Sequence, residues 1–363
     1  MAKVFLAGVT KGSSVEALSR AVRNAAEAAT DFAWLSPGDS VFIKPALNSA
    51  YPYPSTTSPV AVAAMVALLK DKGAGRVVVG DMSGIMYLKL APHAVWGSTR
   101  ALVEQSGMAQ AVRESGADLC CFEEAGWNAF YEDFPAAGSH WKRGLMMPSI
   151  LKEMDHIVLM PRCGSHIFAG STLGLKAAVG YWRTDTRLEY HRDAATFHEK
   201  TADANTVNVL RDKQRLVVSA ATRMLSTFGP DKGFVREPRT GLVIAAESVV
   251  AHDMVSLAWL LLARSETPSS DFHWLTDRSR CAADLANRYI VNKLGGFSQV
   301  LRSQKLHKNP VLSIWDDRIL NRAYHVFNGR PAIELQAIDE VVPSEVTQRL
   351  ADMTTPHEPA SRE

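Results

Sequence analysis

The sequence predicts an α/β fold: a mainly parallel sheet flanked by helices, with a second, smaller α/β portion. Two observations carry this. Apolar runs of strand length alternate several times with segments of helical spacing. The clearest such unit is Ser40–Lys44, Val60–Lys72 and Arg76–Gly80, a strand–helix–strand that implies a parallel pair and a right-handed crossover. At 363 residues the chain is long enough for a large core. The expected division is residues 1–240 as an α/β core carrying the site, 241–353 as a C-terminal α/β portion packed on it, and 354–363 as a flexible tail.

In order, Val4–Gly8 reads as a short strand. Ser14–Ala29 sets Val15, Leu18, Val22 and Ala25 at helical spacing, with Ser13 or Ser14 as cap and Glu16 in the first turn. Pro37-Gly-Asp is a turn. Ser58 followed by Pro59 opens the next helix, and Gly73 and Gly75 close it. Thr99–Gly107 and Met108–Ser115 are helical, and Asp118–Phe122 is a strand. Trp127–Gly144 is irregular and aromatic, a flap or meander near the site; Trp127, Trp141, Tyr181 and Trp182 line an apolar pocket or fill the core. Pro148–Glu153 is a short helix before Asp155-His-Ile-Val-Leu-Met-Pro161, an apolar run ending at a proline that reads as a buried strand. Ala202–Thr227 reads as a long amphipathic helix, Leu242–Ala246 as a strand, Val249–Arg264 and Asp284–Lys293 as helices. Residues 265–280 and 294–312 are linking segments, Val311–Ile314 and Ala332–Gln336 short strands, and Pro343–Met353 a last helix.

Forty basic residues against 38 acidic ones leave a formal charge of +2, too balanced for a nucleic-acid or membrane partner. Cys120, Cys121, Cys163 and Cys281 are scattered, with no C-x-x-C pattern for zinc or iron–sulfur. That usage fits a reducing cytoplasm, and the N-terminal apolar run is too short for a signal peptide. Val60–Leu69 and Val249–Ala263 fall short of a membrane span.

After the strand at residue 156 comes Cys163-Gly-Ser-His-Ile-Phe-Ala-Gly-Ser-Thr-Leu-Gly-Leu-Lys176-Ala-Ala-Val-Gly180, then Arg187-Leu-Glu-Tyr-His191-Arg-Asp193. A strand running into Gly, Ser and Thr before a helix delivers polar side chains to the C-terminal edge of a sheet, where open α/β folds place ligands. His166 suits an acid/base role because an imidazole titrates near neutrality. Lys176 suits an anion anchor or, if burial lowers its pKa, a covalent link. His166, His191 and Asp193 (or Asp81) form the best metal set, two imidazoles and a carboxylate that leave positions open for substrate. Solvated loop side chains give the same pattern. Lys44 and Asn48 end one strand, and Asp81 and Ser83 the next. Each pair suits substrate contact or, equally, a cap or turn.

The order Gly38–Asn48, Ser55-Thr-Thr57-Ser-Pro59 and Asp71–Asp81 resembles the domain-of-unknown-function family numbered 362 over roughly residues 38–265. That family joins a strand ending in Lys-Pro-Asn, a Thr-Thr-His-Pro-like segment, and a second strand ending in Gly-Asp. It continues with a Lys-Thr-His segment, a Thr and a Lys-Asn pair before Gly. His166, Thr172, Lys176 and Gly180 match its second half, and Asp253 falls where an Asp opens the last long helix. Ala46, Ser165 and Ala177 depart from the pattern, and the clustered cysteines of the family's ferredoxin-like module are missing. The stretch His166, Ala169, Gly170, Gly174, Lys176 and His191 is also similar to the nickel-pincer lactate racemase family. That resemblance implies proton transfer at His166, a covalent cofactor anchor at Lys176 and a nickel ligand at His191. The family's other catalytic His has no counterpart in Gly80-Asp-Met-Ser-Gly84.

The expected function is that of a small-molecule enzyme acting by acid/base chemistry, with or without a divalent metal or other cofactor, at a carbon next to a carboxylate or carbonyl. Isomerase, lyase and redox types all fit. The expected catalytic residues are His166, Lys176 and Asp81, with Lys44, Asn48, Ser83 and Thr172 on an anionic substrate. A homo-oligomer is compatible with the sequence. The alternative is a metal or iron–sulfur cofactor carrier without turnover.

Overall fold

The computed structural model describes residues 1–268 and 280–356. Eight strands form one sheet: β1 (Ala2–Thr10), β2 (Ser40–Pro45), β3 (Arg76–Asp81), β4 (Asp118–Cys121), β5 (His156–Met160), β6 (Gln214–Ala221), β7 (Thr240–Ala246) and β8 (Ile333–Ala337). Their spatial order is β8-β1-β7-β6-β5-β2-β3-β4. Within this sheet β7 alone runs against its neighbours β1 and β6; every other pairing is parallel. The fold is α/β with a mainly parallel sheet. Residue 240, where the sequence suggests a division, opens β7, which lies inside the sheet between β1 and β6.

The strands alternate by the two-residue period of extended chain, yet both faces are apolar because both are covered. Val41, Ile43, Val77 and Val79 point into one cluster, with helices α1 (Val15–Ala29) and α2 (Pro59–Asp71) above them. Phe42 and Val78 point into the other, which holds α3 (Gly174–Ala177), α4 (Thr184–Arg192) and α5 (Val249–Ser265). Ser14 and Ser58 cap α1 and α2 by accepting from the amides of Ala17 and Ala61. A further helix, α6 (Arg280–Gly295), packs along α4.

Several expectations fail. Ala202–Thr227 is not one helix: short helices at Phe197–Asp203 and Asn208–Lys213 lead into β6. Leu216-Val-Val-Ser-Ala-Ala221 is buried on both sides between β5 and β7, so its continuous apolar run lacks the alternation that marks a strand. Val311–Ile314 is not a strand but leads into a 3₁₀ turn at Ile314–Asp316, where Ser313 and Asp316 bond reciprocally. A helix at Arg318–Val326 fills a stretch for which the sequence suggested nothing. The aromatic stretch after residue 127 forms a hairpin, Phe130–Asp133 with Leu145–Pro148. Trp141 packs on Trp182 and Tyr190 in the core. Most of the expected tail (357–363), and 269–279 of one linking segment, lie outside the described residues. Among the described residues, no helix is long and apolar enough to cross a membrane.

Candidate active site

Because β5, β2 and β3 are adjacent and parallel, their C-terminal ends reach one edge of the sheet. A cavity of about 440 Å³ opens there, lined by Lys44, Asn48, Asp81, His166, Thr172, Lys176 and His191 among others. Ser83 and Asp193, which the sequence also proposes, do not reach it.

The floor is a buried ion pair. Lys44 Nζ lies 2.9 Å from Asp81 Oδ1 and donates to the Pro45 carbonyl at 2.7 Å. Burial pushes the Lys44 ammonium below its ordinary range, against the pull of Asp81. Asp81 also accepts from the amides of Leu47 (2.6 Å) and Met82 (2.8 Å), which occupies both its oxygens. Through these bonds Asp81 fixes the two loops that follow β2 and β3 while lining the cavity. Gly180 is glycine for a related reason, since a Cβ there would strike Asp81 Oδ1 and Lys44 Nζ. Ser83 belongs to the same scaffold rather than to a substrate contact. Its hydroxyl donates to the Leu47 carbonyl at 2.7 Å and its amide to Thr99 Oγ1 at 3.0 Å.

The two imidazoles are fixed in opposite senses. His166 Nδ1 accepts from the amides of Phe168 (3.1 Å) and Ala169 (3.3 Å), so the ring proton sits on Nε2. Asn287 Nδ2 donates to the His191 carbonyl at 2.8 Å, which leaves Asn287 Oδ1 to accept from His191 Nδ1 at 2.7 Å. The ring proton of His191 is therefore on Nδ1, and Nε2 keeps its lone pair. In each ring Nε2 is the nitrogen left for a ligand, a donor in His166 and an acceptor in His191. Both rings are held neutral. Burial, then the charge of Lys176, depresses His166 well below its ordinary value. Burial lowers His191 to about 3, with Lys176 and Arg187 adding to it against the Asn287 bond.

Lys176 rides on the single turn α3, whose first amides, Gly174 and Leu175, each donate to Asp253 at 2.8 Å. This explains Asp253 in the first turns of α5: it anchors the lysine's turn from the neighbouring helix on the same face of the sheet. Among the described residues no carboxylate pairs with Lys176. Burial, then Arg162 and Arg187, lowers its ammonium to about 7.

Arg162 and Arg187 also line the cavity, and sequence reasoning missed both. Arg187 donates to the carbonyls of Ser83 (2.5 Å), Met82 (2.6 Å) and Gly180 (3.2 Å). Arg162 donates to the Pro230 carbonyl at 2.6 Å, while its buried Nε has no partner among the described residues. The signal for Arg162 was an arginine directly after Pro161, at the end of a buried strand. Asn287, 96 residues from its partner His191, left none. Asn48 donates to Asp231, which also accepts from the Tyr87 hydroxyl at 2.9 Å.

The expected metal set is not assembled. Asp193 pairs instead with Lys142 (2.7 Å), Arg192 (2.9 Å) and Lys200 (3.5 Å), because α4 turns it to the opposite side from His191. His166 presents a protonated nitrogen rather than a lone pair. His191 Nε2 is the cavity imidazole nitrogen able to ligate. Among the described residues no three His, Cys, Asp or Glu side chains group to hold an ion. Cys163 is buried with its thiol 3.4 Å from the Ser256 carbonyl, and burial pushes its pKa up.

Fold and site together define an α/β protein with a cationic cavity that opens at the sheet's C-terminal edge. Residues 41–258 match the family described as Domain of unknown function (DUF362), and the chain belongs to that family. No curated protein matches the sequence. Among solved structures, the lactate racemase apoprotein from Thermoanaerobacterium thermosaccharolyticum matches at 14% identity and a TM-score of 0.42, covering 67% of this chain and 54% of that one. A structural-genomics protein from Thermotoga maritima matches at 10% identity and a TM-score of 0.33, covering 58% and 51%. The chain thus spans about half the length of each solved structure.

Proposed function

We propose that the cavity is the active site of an enzyme that moves a proton at a carbon next to a carboxylate or carbonyl. One arrangement supports the reading: an amine with no ion-pair partner, beside one imidazole that donates and another that accepts. Arg162 holds the substrate carboxylate with its free donors. His166 Nε2–H donates to the carbonyl oxygen on which charge develops, as a neutral imidazole suited to stabilise an oxyanion without ionising. The neutral Lys176 amine takes the proton from the carbon; the C–H electron pair becomes a C=C bond as the carbonyl π pair moves onto that oxygen, and the new ammonium returns the proton to the same or a neighbouring carbon. An amine titrating near 7 is matched to this task at neutral pH. His191 Nε2 accepts from a substrate hydroxyl and orients it. Isomerisation, elimination and α-carbon oxidation all begin with this step.

Deuterium exchange tests it. Incubated in D₂O with a panel of 2-oxo and 2-hydroxy acids, the protein should wash the α-proton signal of at least one of them out of the ¹H spectrum. Lys176→Met should slow the exchange by roughly 100-fold or more, the usual weight of a general base. Acids that bind in the cavity but never exchange would contradict the reading.

A further inference from the structure

The cavity has two ends of different chemistry. At the buried end are Arg162, 3% exposed, and Arg187, and the half-buried Lys176 lines the same cavity. The charge of Lys44 is cancelled by Asp81, but among the described residues no carboxylate pairs with Arg162 or Lys176. The one other cavity carboxylate, Asp231, is held by Asn48 and Tyr87. At the open end the rim is apolar: Met86 is 46% and Tyr289 56% exposed, and Ile85, Phe168, Val179 and Ile290 form the wall between rim and floor. Cations at depth beneath an apolar throat select an occupant with an anionic head and an apolar body.

Size and donor geometry narrow the class. A volume of about 440 Å³ falls among the pockets of roughly 300–1,000 Å³ that enclose sizeable ligands, and a three-carbon acid would leave most of the apolar wall wet. A phosphate head would be expected to draw on the backbone amides at a helix start. Here the first amides of α3 are already taken by Asp253. The planar guanidinium of Arg162, with donors unused and Nε unpartnered, matches a carboxylate.

We infer that the substrate is a carboxylic acid with a bulky apolar body, aromatic or branched, that enters head first: its carboxylate meets Arg162 and its body fills the wall of Ile85, Phe168, Ile290 and Tyr289. This rests on the proposed reading in taking the occupant as a substrate; the recognition is tested by binding alone.

Isothermal titration of the full chain with four unreactive probes decides it: 3-phenylpropanoate, propanoate, 3-phenylpropan-1-ol and phenyl phosphate. The aromatic acid should bind on the order of 50-fold more tightly than propanoate, the gain from burying a phenyl surface. It should also bind at least about tenfold more tightly than the alcohol and the phosphate. Arg162→Gln should erase the preference for acid over alcohol, and Ile290→Asn the preference for the longer acid. Equal binding of propanoate and phenylpropanoate, of acid and alcohol, or tighter binding of the phosphate would each overturn the inference in the parent protein, whether or not the variants fold. Deuterium exchange on small acids in the face of such a result would leave the proton-transfer reading standing and remove only the substrate class.

Discussion

Asn287 grips His191 twice, donating to its backbone carbonyl at 2.8 Å and accepting from its ring at 2.7 Å. The double contact makes the tautomer of His191 a consequence of geometry, since an amide whose nitrogen is committed can only accept through its oxygen. Nitrogen-15 spectra should therefore show His191 as the Nδ1–H form and His166 as the Nε2–H form. Asn287→Leu should mix the tautomers of His191 and leave His166 unchanged. If both rings prove to be the same tautomer, the division of labour between them is wrong.

The two central side chains should behave differently in thermal melts. His166→Ala leaves the amides of Phe168 and Ala169 without an acceptor and should cost about 1–3 kcal/mol. Lys176→Met removes an amine whose protonated form is disfavoured by burial and that has no carboxylate partner among the described residues, so it should cost nothing measurable or raise the melting temperature. Equal losses in both variants would place Lys176 in the structural scaffold.

Asp81 should matter for stability before chemistry. Asp81→Ala leaves the fully buried Lys44 unpaired and two loop amides unsatisfied, a loss of about 3–5 kcal/mol in urea unfolding. Replacing both partners, as Lys44→Met with Asp81→Leu, should recover part of that loss, because no charge then remains buried. A single Asp81→Ala variant of parental stability would show that the pair does not fix the loops.

The depressed pKa of Lys176 has a signature in the pH dependence of stability. Between about 7 and its ordinary value near 10.5, the unfolded lysine holds a proton that the folded one has released. Stability from this group therefore rises with pH across that window and is flat below it. Comparing unfolding of the parent and Lys176→Met from pH 6 to 10 isolates the contribution: the parent should gain relative to the variant as pH rises. A constant difference would mean that Lys176 titrates normally.

Much of the site was legible because its residues sit where strands end. Lys44, Asp81 and His166 each follow a readable apolar run, and parallel neighbours bring such ends together whatever the loops contain. What each residue does was less legible. Asp81 and Ser83 carry the same chemical signature whether they face a ligand or bond to the backbone, and only the loop geometry decides. Asp193, two residues from His191, points elsewhere because adjacent helical positions diverge by about 100° each. The grip of Asn287 on His191 and the anchoring of the Lys176 turn by Asp253 span the chain and leave no local pattern. In the fold, β6 was misread for the reason that makes it central: burial on both faces erases periodicity.

The claim on which the rest depends is that Lys176 is a neutral amine at work in the cavity. A ¹³C NMR titration of the lysine side chains, with Lys176→Met assigning the resonance, measures it directly. The account predicts a Lys176 midpoint at about 7, shifted upward when 3-phenylpropanoate places its carboxylate nearby. A midpoint near 10.5, unmoved by the acid, would contradict it.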